Sequence, residues 1–154
     1  MNLNHTAFES ASRSAADSLK DDLLRYGPKI FTASEYRRGI VRHIVLLCFA
    51  NTVSEVQQNA LVQAFLDLRE DCRRDGKPYI RSIEHGLQSS GEGAHGAFEH
   101  AFLLSFDSEG DRNYYVGEPV VTDPAYYDSR HHAFKALIGP LLAPQGVLVF
   151  DYTL

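Results

Sequence analysis

The sequence predicts a single α+β domain of ferredoxin-like order, β-α-β-β-α-β, with one four-stranded antiparallel sheet and its helices on one side. Three observations carry this. IVRHIVLLCF (40–49) is apolar and rich in β-branched residues but too short for a self-sufficient helix. NTVSEVQQNALVQAFLDLREDC (51–72) then switches the apolar period to that of a helix. Two strand-like runs, a second helix and a terminal GVLVFDYTL complete the order.

The chain divides into an extension, residues 1–38, and the domain, residues 39–154. The extension opens with a polar, Ser- and Asn-rich stretch that reads as a frayed tail. SAADSLKDDLLRY (14–26) sets Leu19, Leu23, Leu24 and Tyr26 at helical spacing, and Gly27-Pro28 stops the helix. This short amphipathic helix is expected to dock on the domain or on a partner subunit. Residues 30–39 read as a connector.

In the first strand, Val41, His43, Val45, Leu47 and Phe49 share one face, and Arg42, Ile44, Leu46 and Cys48 share the other. The first main helix carries Val56, Ala60, Leu61, Ala64, Phe65 and Leu68 as its stripe, with Thr52 or Ser54 as cap and Gly76 and Pro78 beyond its end. YIRSIEHGLQ (79–88) reads as the second strand and SSGEGAHG (89–96) as a loop. AFEHAFLLSF (97–106) alternates as a third strand, with Phe98, His100, Phe102, Leu104 and Phe106 on one face. A short helix (107–116) and a loop with two prolines lead to the second main helix, DSRHHAFKALIGPLL (128–142), and to the last strand, 146–154. Both faces of the first and third strands are apolar, so both faces of the sheet need a cover. Helices supply one. A second copy of the sheet, in a two-fold homodimer, or the N-terminal helix supplies the other.

Composition excludes several classes. A net charge of -5 argues against a nucleic-acid binder, and the doublets Arg37-Arg38 and Arg73-Arg74 read as solvated faces. The longest apolar run, IVLLCFA (44–50), is strand length, so no membrane span is expected. The start lacks the pattern of a secretory signal. Cys48 and Cys72 have no metal-ligand spacing and read as buried, reduced thiols of a cytoplasmic protein. GEGAHG (91–96) does not open a helix and so is no phosphate loop, and SEGDRN (108–113) has the wrong spacing for a calcium loop.

RHIVLLCF, FEHAFLLSFDSEGDRNYY and HHAFKALIGPLL…GVLVFDY, in that order, resemble the Dabb family, the stress-responsive α/β-barrel domain, over about residues 40–152. The resemblance implies a ferredoxin-like protomer that pairs into a dimeric α+β barrel. A few members are enzymes, plant polyketide cyclases among them, that close a linear polyketide by an aldol reaction. By that resemblance His43 and His100 are pocket histidines, Tyr115 is the pocket tyrosine, and His131, in the pattern His-x-x-Phe with Phe134, is the helix-opening base. His132 is then a neighbour. The chain departs from the family in a longer segment between Tyr115 and His131.

The residues themselves support that chemistry. Asp128 is a good N-cap, which puts His131 in the first helical turn, where the helix dipole disfavours imidazolium and favours a neutral base. Tyr115 offers a hydrogen bond to a substrate oxygen, and His43, His100, Phe102 and Phe134 are expected to line the pocket. No cofactor is indicated, and no histidine pair has a diagnostic metal spacing. Two readings stay open. One is a dimeric barrel that binds a hydrophobic or aromatic small molecule, with cofactor-free proton transfer or cyclisation (cyclase- or lyase-like, or monooxygenase-like) at His131 and Tyr115. The other is a non-catalytic structural or stress-response protein with a packed interior and histidines bonded to backbone.

Overall fold

The computed structural model describes residues 13–154, so the tail expected at the start lies outside the described residues. The order of the main elements is as the sequence predicts. Helix α1 (Ala15–Tyr26) is capped by Ser14, whose hydroxyl accepts from the Asp17 amide. Gly27, at φ 77°, ends α1, and Pro28 opens a further helical turn, α2 (Pro28–Phe31), that runs into the expected connector. Proline suits a first helical turn because its ring pre-sets φ and the missing N–H would have no partner there.

Strand β1 (Arg38–Phe49) is followed by α3 (Glu55–Asp71). Ser54, not Thr52, caps α3, and Gln57 reaches back to close a capping box. Leu61, Phe65 and Leu68 are its buried residues, whereas Val56 of the expected stripe points to solvent. A small hairpin then intervenes: β2 (Arg73–Arg74) pairs with β3 (Lys77–Pro78). Its turn is Asp75-Gly76, both at positive φ, the pair that a tight two-residue hairpin favours. The second main-sheet strand therefore starts later than expected, as β4 (Ser82–Leu87). Strand β5 (His100–Ser108), helix α4 (Glu109–Val116), helix α5 (Ser129–Ile138) and strand β6 (Leu142–Thr153) follow. Helix α5 ends before Gly139-Pro140, because the proline has no N–H to continue the ladder. Strand β6 begins earlier than expected, and there Gly146 lies so close to the Cys48 carbonyl that a Cβ would stand 2.5 Å from it.

The sheet order is β4-β5-β1-β6, and every neighbouring pair is antiparallel. This is the ferredoxin-like topology. Val41, His43, Val45, Leu47 and Phe49 of β1 all face the helices and are buried. The core centres on a ring stack that joins three elements. Phe65 of α3 lies flat on Phe102 of β5, centroids 3.9 Å apart, and Phe134 of α5 meets Phe65 edge-on at 5.1 Å. Each such buried ring contributes about 1.5–3 kcal/mol by burial alone.

The opposite sheet face has no cover within the described residues. By register, Ile44 stands between Leu103 and Phe150, and Leu46 between Ala101 and Leu148. Leu148, Phe150 and Tyr152 are all exposed there. Helix α1 does not fill this role. Its Leu19 and Leu23 pack on a second cluster built from Phe31, Tyr36 and Val121 of the same chain. The connector seats on α4 through Gly110, where an added Cβ would fall 1.7 Å from the Ala33 carbonyl oxygen.

Candidate functional site

The site lies between α5, the helix-facing side of β1 and β6, and the turn after α4. Helices α3 and α5 leave the β6 edge of the sheet open, and a cleft of about 440 Å³ fills the gap. Its walls are mostly apolar: Val45, Leu47, Phe65, Phe134, Ile138 and Val149 among others. The polar groups on the wall are His43, His131, Lys135 and Glu118.

His131 is set by its helix start. One carboxylate oxygen of Asp128 accepts from the amides of Arg130 (2.8 Å) and His131 (3.2 Å), and the other accepts from the Tyr79 hydroxyl at 2.5 Å. The imidazole Nδ1 lies 2.6 Å from the Tyr115 carbonyl oxygen. A carbonyl can only accept, so Nδ1 carries the proton. Burial pushes the His131 pKa down to about 3, against the raising effect of that carbonyl; the charges on Lys135 and His43 push the same way as burial. The ring is therefore neutral near pH 7. Its Nε2 holds a lone pair with no partner among the described residues, on a residue that lines the cleft.

Tyr115 lies under His131 rather than beside it on the wall. The two rings stack at 3.7 Å with planes 14° apart. The Tyr115 hydroxyl is enclosed and has no hydrogen-bond partner, and burial drives its pKa well up, with Cys72 and Asp128 adding to the effect. The enclosed hydroxyl is not on the cleft wall. The long segment before α5 does not separate the pair, because the Asp128 amide donates back to the Tyr114 carbonyl at 2.9 Å. Gly117, at φ 61°, starts the segment, and a side chain there would meet Tyr127 at 2.7 Å.

His43 reaches the same cleft from β1. Its Nδ1 is 2.6 Å from one Asp151 oxygen, and Arg112 donates to the other at 2.8 Å. Burial alone would raise the Asp151 pKa, but the hydrogen bonds and charges of His43 and Arg112 outweigh it and hold the carboxyl below its ordinary value. A His–Asp–Arg chain thus fixes the imidazole. Behind it lies a second, smaller compartment of about 90 Å³, lined by His43, Asp151 and Val149 and by Leu19 and Phe31.

The structure brings His43, His131 and Phe134 onto one cleft wall; Phe102 is not on it, because it is buried beneath Phe65. It does not bring His100 there. His100 pairs with Leu47 in register, whereas His43 pairs with Leu104, four residues further along β5. His100 instead contacts His85 at 3.1 Å and Gln58 at 3.3 Å, and burial lowers the pKa of both histidines. His132 stacks on Tyr127 at the surface side of α5. No three metal-ligating side chains converge among the described residues. Both cysteines are free, and burial pushes the Cys72 thiol pKa up, assisted by Asp128. No helix of the described residues is long and apolar enough to cross a membrane.

Asp151, Arg112 and Lys135 were not legible as site residues from the sequence. The register that sets Asp151 opposite His43, and the i, i+4 spacing of His131 and Lys135, are the signals that locate them.

This sheet order, with helices on one face, defines a ferredoxin-like α+β fold. The chain belongs to the Dabb family, the stress responsive A/B barrel domain, whose family model matches residues 41–154. No curated protein sequence matches it. Among solved structures it is similar to an Arabidopsis thaliana protein (23% identity, TM-score 0.59, covering 74% of this chain and 94% of that one). It is also similar to the hydroxynitrile lyase of Passiflora edulis (19% identity, TM-score 0.60, 76% and 94%). A third is a dimeric ferredoxin-like protein of unknown function from Thermobifida fusca (22% identity, TM-score 0.53, 77% and 94%). At these identities the likeness shows the fold.

Proposed function

We propose that this chain forms a homodimeric Dabb barrel that takes a hydrophobic or aromatic small molecule into the cleft and moves a proton on it, without a cofactor, using His131 as base. The observation that carries the reading is the state of His131. It is a buried, neutral imidazole, oriented by the Tyr115 carbonyl, whose free Nε2 belongs to an apolar cleft. General bases work best when they are unprotonated at working pH and held in place. Tyr115 contributes its carbonyl and ring as a positioning residue. His43, fixed by Asp151 and Arg112, supplies a second polar contact across the cleft. The fold accommodates lyase chemistry in at least one neighbour, the Passiflora edulis enzyme.

The homodimer reading rests on the apolar outer sheet face, where Ile44, Leu46, Leu148 and Phe150 lie together, and on the dimeric neighbour from Thermobifida fusca. Pairing two such faces removes an exposed apolar patch that a monomer would hold in water. The compartment expected for the chain is cytoplasmic, in keeping with its two free thiols.

The experiment is proton exchange. A panel of aryl ketones is incubated with the protein in D2O, and α-deuteration is followed by NMR. Exchange by the wild type that falls to background in His131→Asn supports the base. No exchange by the wild type, or equal exchange by both, overturns it and favours the non-catalytic reading.

A further inference from the structure

Lys135 stands one helical turn after His131, so both side chains project from the same face of α5 into the cleft. Its Nζ donates to the Val116 carbonyl at 2.8 Å and the Glu118 carbonyl at 3.2 Å. Val116 closes α4, and a cation at a helix C-terminus is favourable. An ammonium has three donors. Two are taken, and the third has no acceptor among the described residues. No carboxylate lies within ion-pair distance of Nζ among those residues either. Among the described residues, Lys135 is also the one lysine or arginine on the cleft wall. Two carbonyl acceptors favour its charged form, although burial draws its pKa down from the ordinary lysine value, partly restored by Glu118.

A proton abstracted from carbon leaves a pair of electrons that must go somewhere. Tyr115, the candidate that the sequence offers to receive it by hydrogen bond, keeps its hydroxyl enclosed and off the cleft wall. We infer that Lys135 is the group that holds the developing oxyanion, and that the substrate is therefore an apolar or aromatic carbonyl compound whose oxygen takes the third ammonium proton as a hydrogen bond. This rests on His131 acting as base. The C–H bond next to the carbonyl breaks, its proton goes to His131 Nε2, and its electron pair moves into the C–C bond while the carbonyl π pair moves to oxygen. The resulting enolate lies against Lys135, and reprotonation from His131 returns the base to its starting state. An ammonium held in place against apolar walls stabilises such charge better than it would in bulk water.

The test compares two ligands of equal shape. Phenylacetate carries the anionic oxygen of an enolate, and phenylacetamide does not. Binding of each is measured by calorimetry to the wild type, Lys135→Met, Lys135→Arg and His131→Asn. The wild type is expected to prefer phenylacetate by about tenfold, the range of one charge-assisted hydrogen bond. Lys135→Met should erase that preference while leaving phenylacetamide binding intact. Lys135→Arg and His131→Asn should keep it. If Lys135→Met does not fold, Lys135→Gln, which can still donate to a carbonyl, carries the same comparison. A preference that survives loss of the cation, or no preference in a wild type that binds both, overturns the role of Lys135 and leaves the cleft reading standing. A wild type that binds neither ligand overturns the cleft reading itself and this inference with it.

Discussion

The imidazole of His131 lies flat on the ring of Tyr115, centroids 3.7 Å apart, while its Nδ1 meets the carbonyl oxygen of the same tyrosine at 2.6 Å. One residue thus fixes both the plane and the tautomer of the histidine. The phenol oxygen takes no part in either contact.

That arrangement predicts an acid-labile fold. The folded pKa of His131 is lowered to about 3, from the ordinary histidine value of 6.5 that the unfolded chain keeps. Between those values the unfolded chain binds a proton that the folded chain refuses, so stability falls as pH falls through that window and levels off below it. The slope from this one group is up to ~1.4 kcal/mol per pH unit. Urea midpoints measured from pH 7 to pH 4 should drop more steeply for the wild type than for His131→Gln. Parallel curves would show that the burial of this ring carries no such cost.

Tyr115→Phe should leave the fold as stable as before, or more stable by up to ~1 kcal/mol, because a buried hydroxyl without a partner is removed. Any turnover shown by the wild type should survive, since ring and carbonyl remain. Tyr115→Ala should lose both stability and turnover. A Tyr115→Phe protein that folds normally but is inactive would assign the hydroxyl a chemical role that its position in this structure does not give it.

Asp151→Asn should cost about 2–3 kcal/mol, because it strands the largely buried Arg112 guanidinium and loosens His43. The folded pKa of Asp151 is depressed, so its contribution is present above the unfolded carboxylate value and is lost as pH falls through the folded one. The variant should therefore differ from the wild type at pH 7 and converge with it in strong acid. Thermal unfolding at the two extremes reads this directly. An equal difference at both would mean the change is steric.

Phe150→Glu, on the exposed outer sheet face, should convert a dimer to a folded monomer, read by light scattering and circular dichroism. A dimer that persists in Phe150→Glu would place the interface elsewhere.

The sheet and its helix-facing residues were legible because alternation with a period of two shows which side chains share a face. This is why His43, Val45 and Leu47 could be grouped from the sequence. Alternation does not say how far apart two residues on one face lie. His43 and His100 share a face yet sit four rungs apart on the β1–β5 ladder, and only register shows it. The same limit concealed Asp151, which becomes the partner of His43 only when β6 pairs beside β1. The placement of His131 was legible from Asp128 and the helix start. The direction of the Tyr115 hydroxyl was not, since a short helix such as α4 can turn either side of a ring toward a neighbour. The hairpin at Asp75-Gly76 was not legible, because its flanking strands are too short to show a period.

Leu19 and Phe31 line the small compartment behind His43, and both come from outside the residues that match the family domain. The wall they form sets apolar surface beside the His43–Asp151 contact. Coulombic attraction scales inversely with the local dielectric, so that contact owes part of its strength to the extension. The family domain supplies the charges, and the added segment sets the medium in which they act.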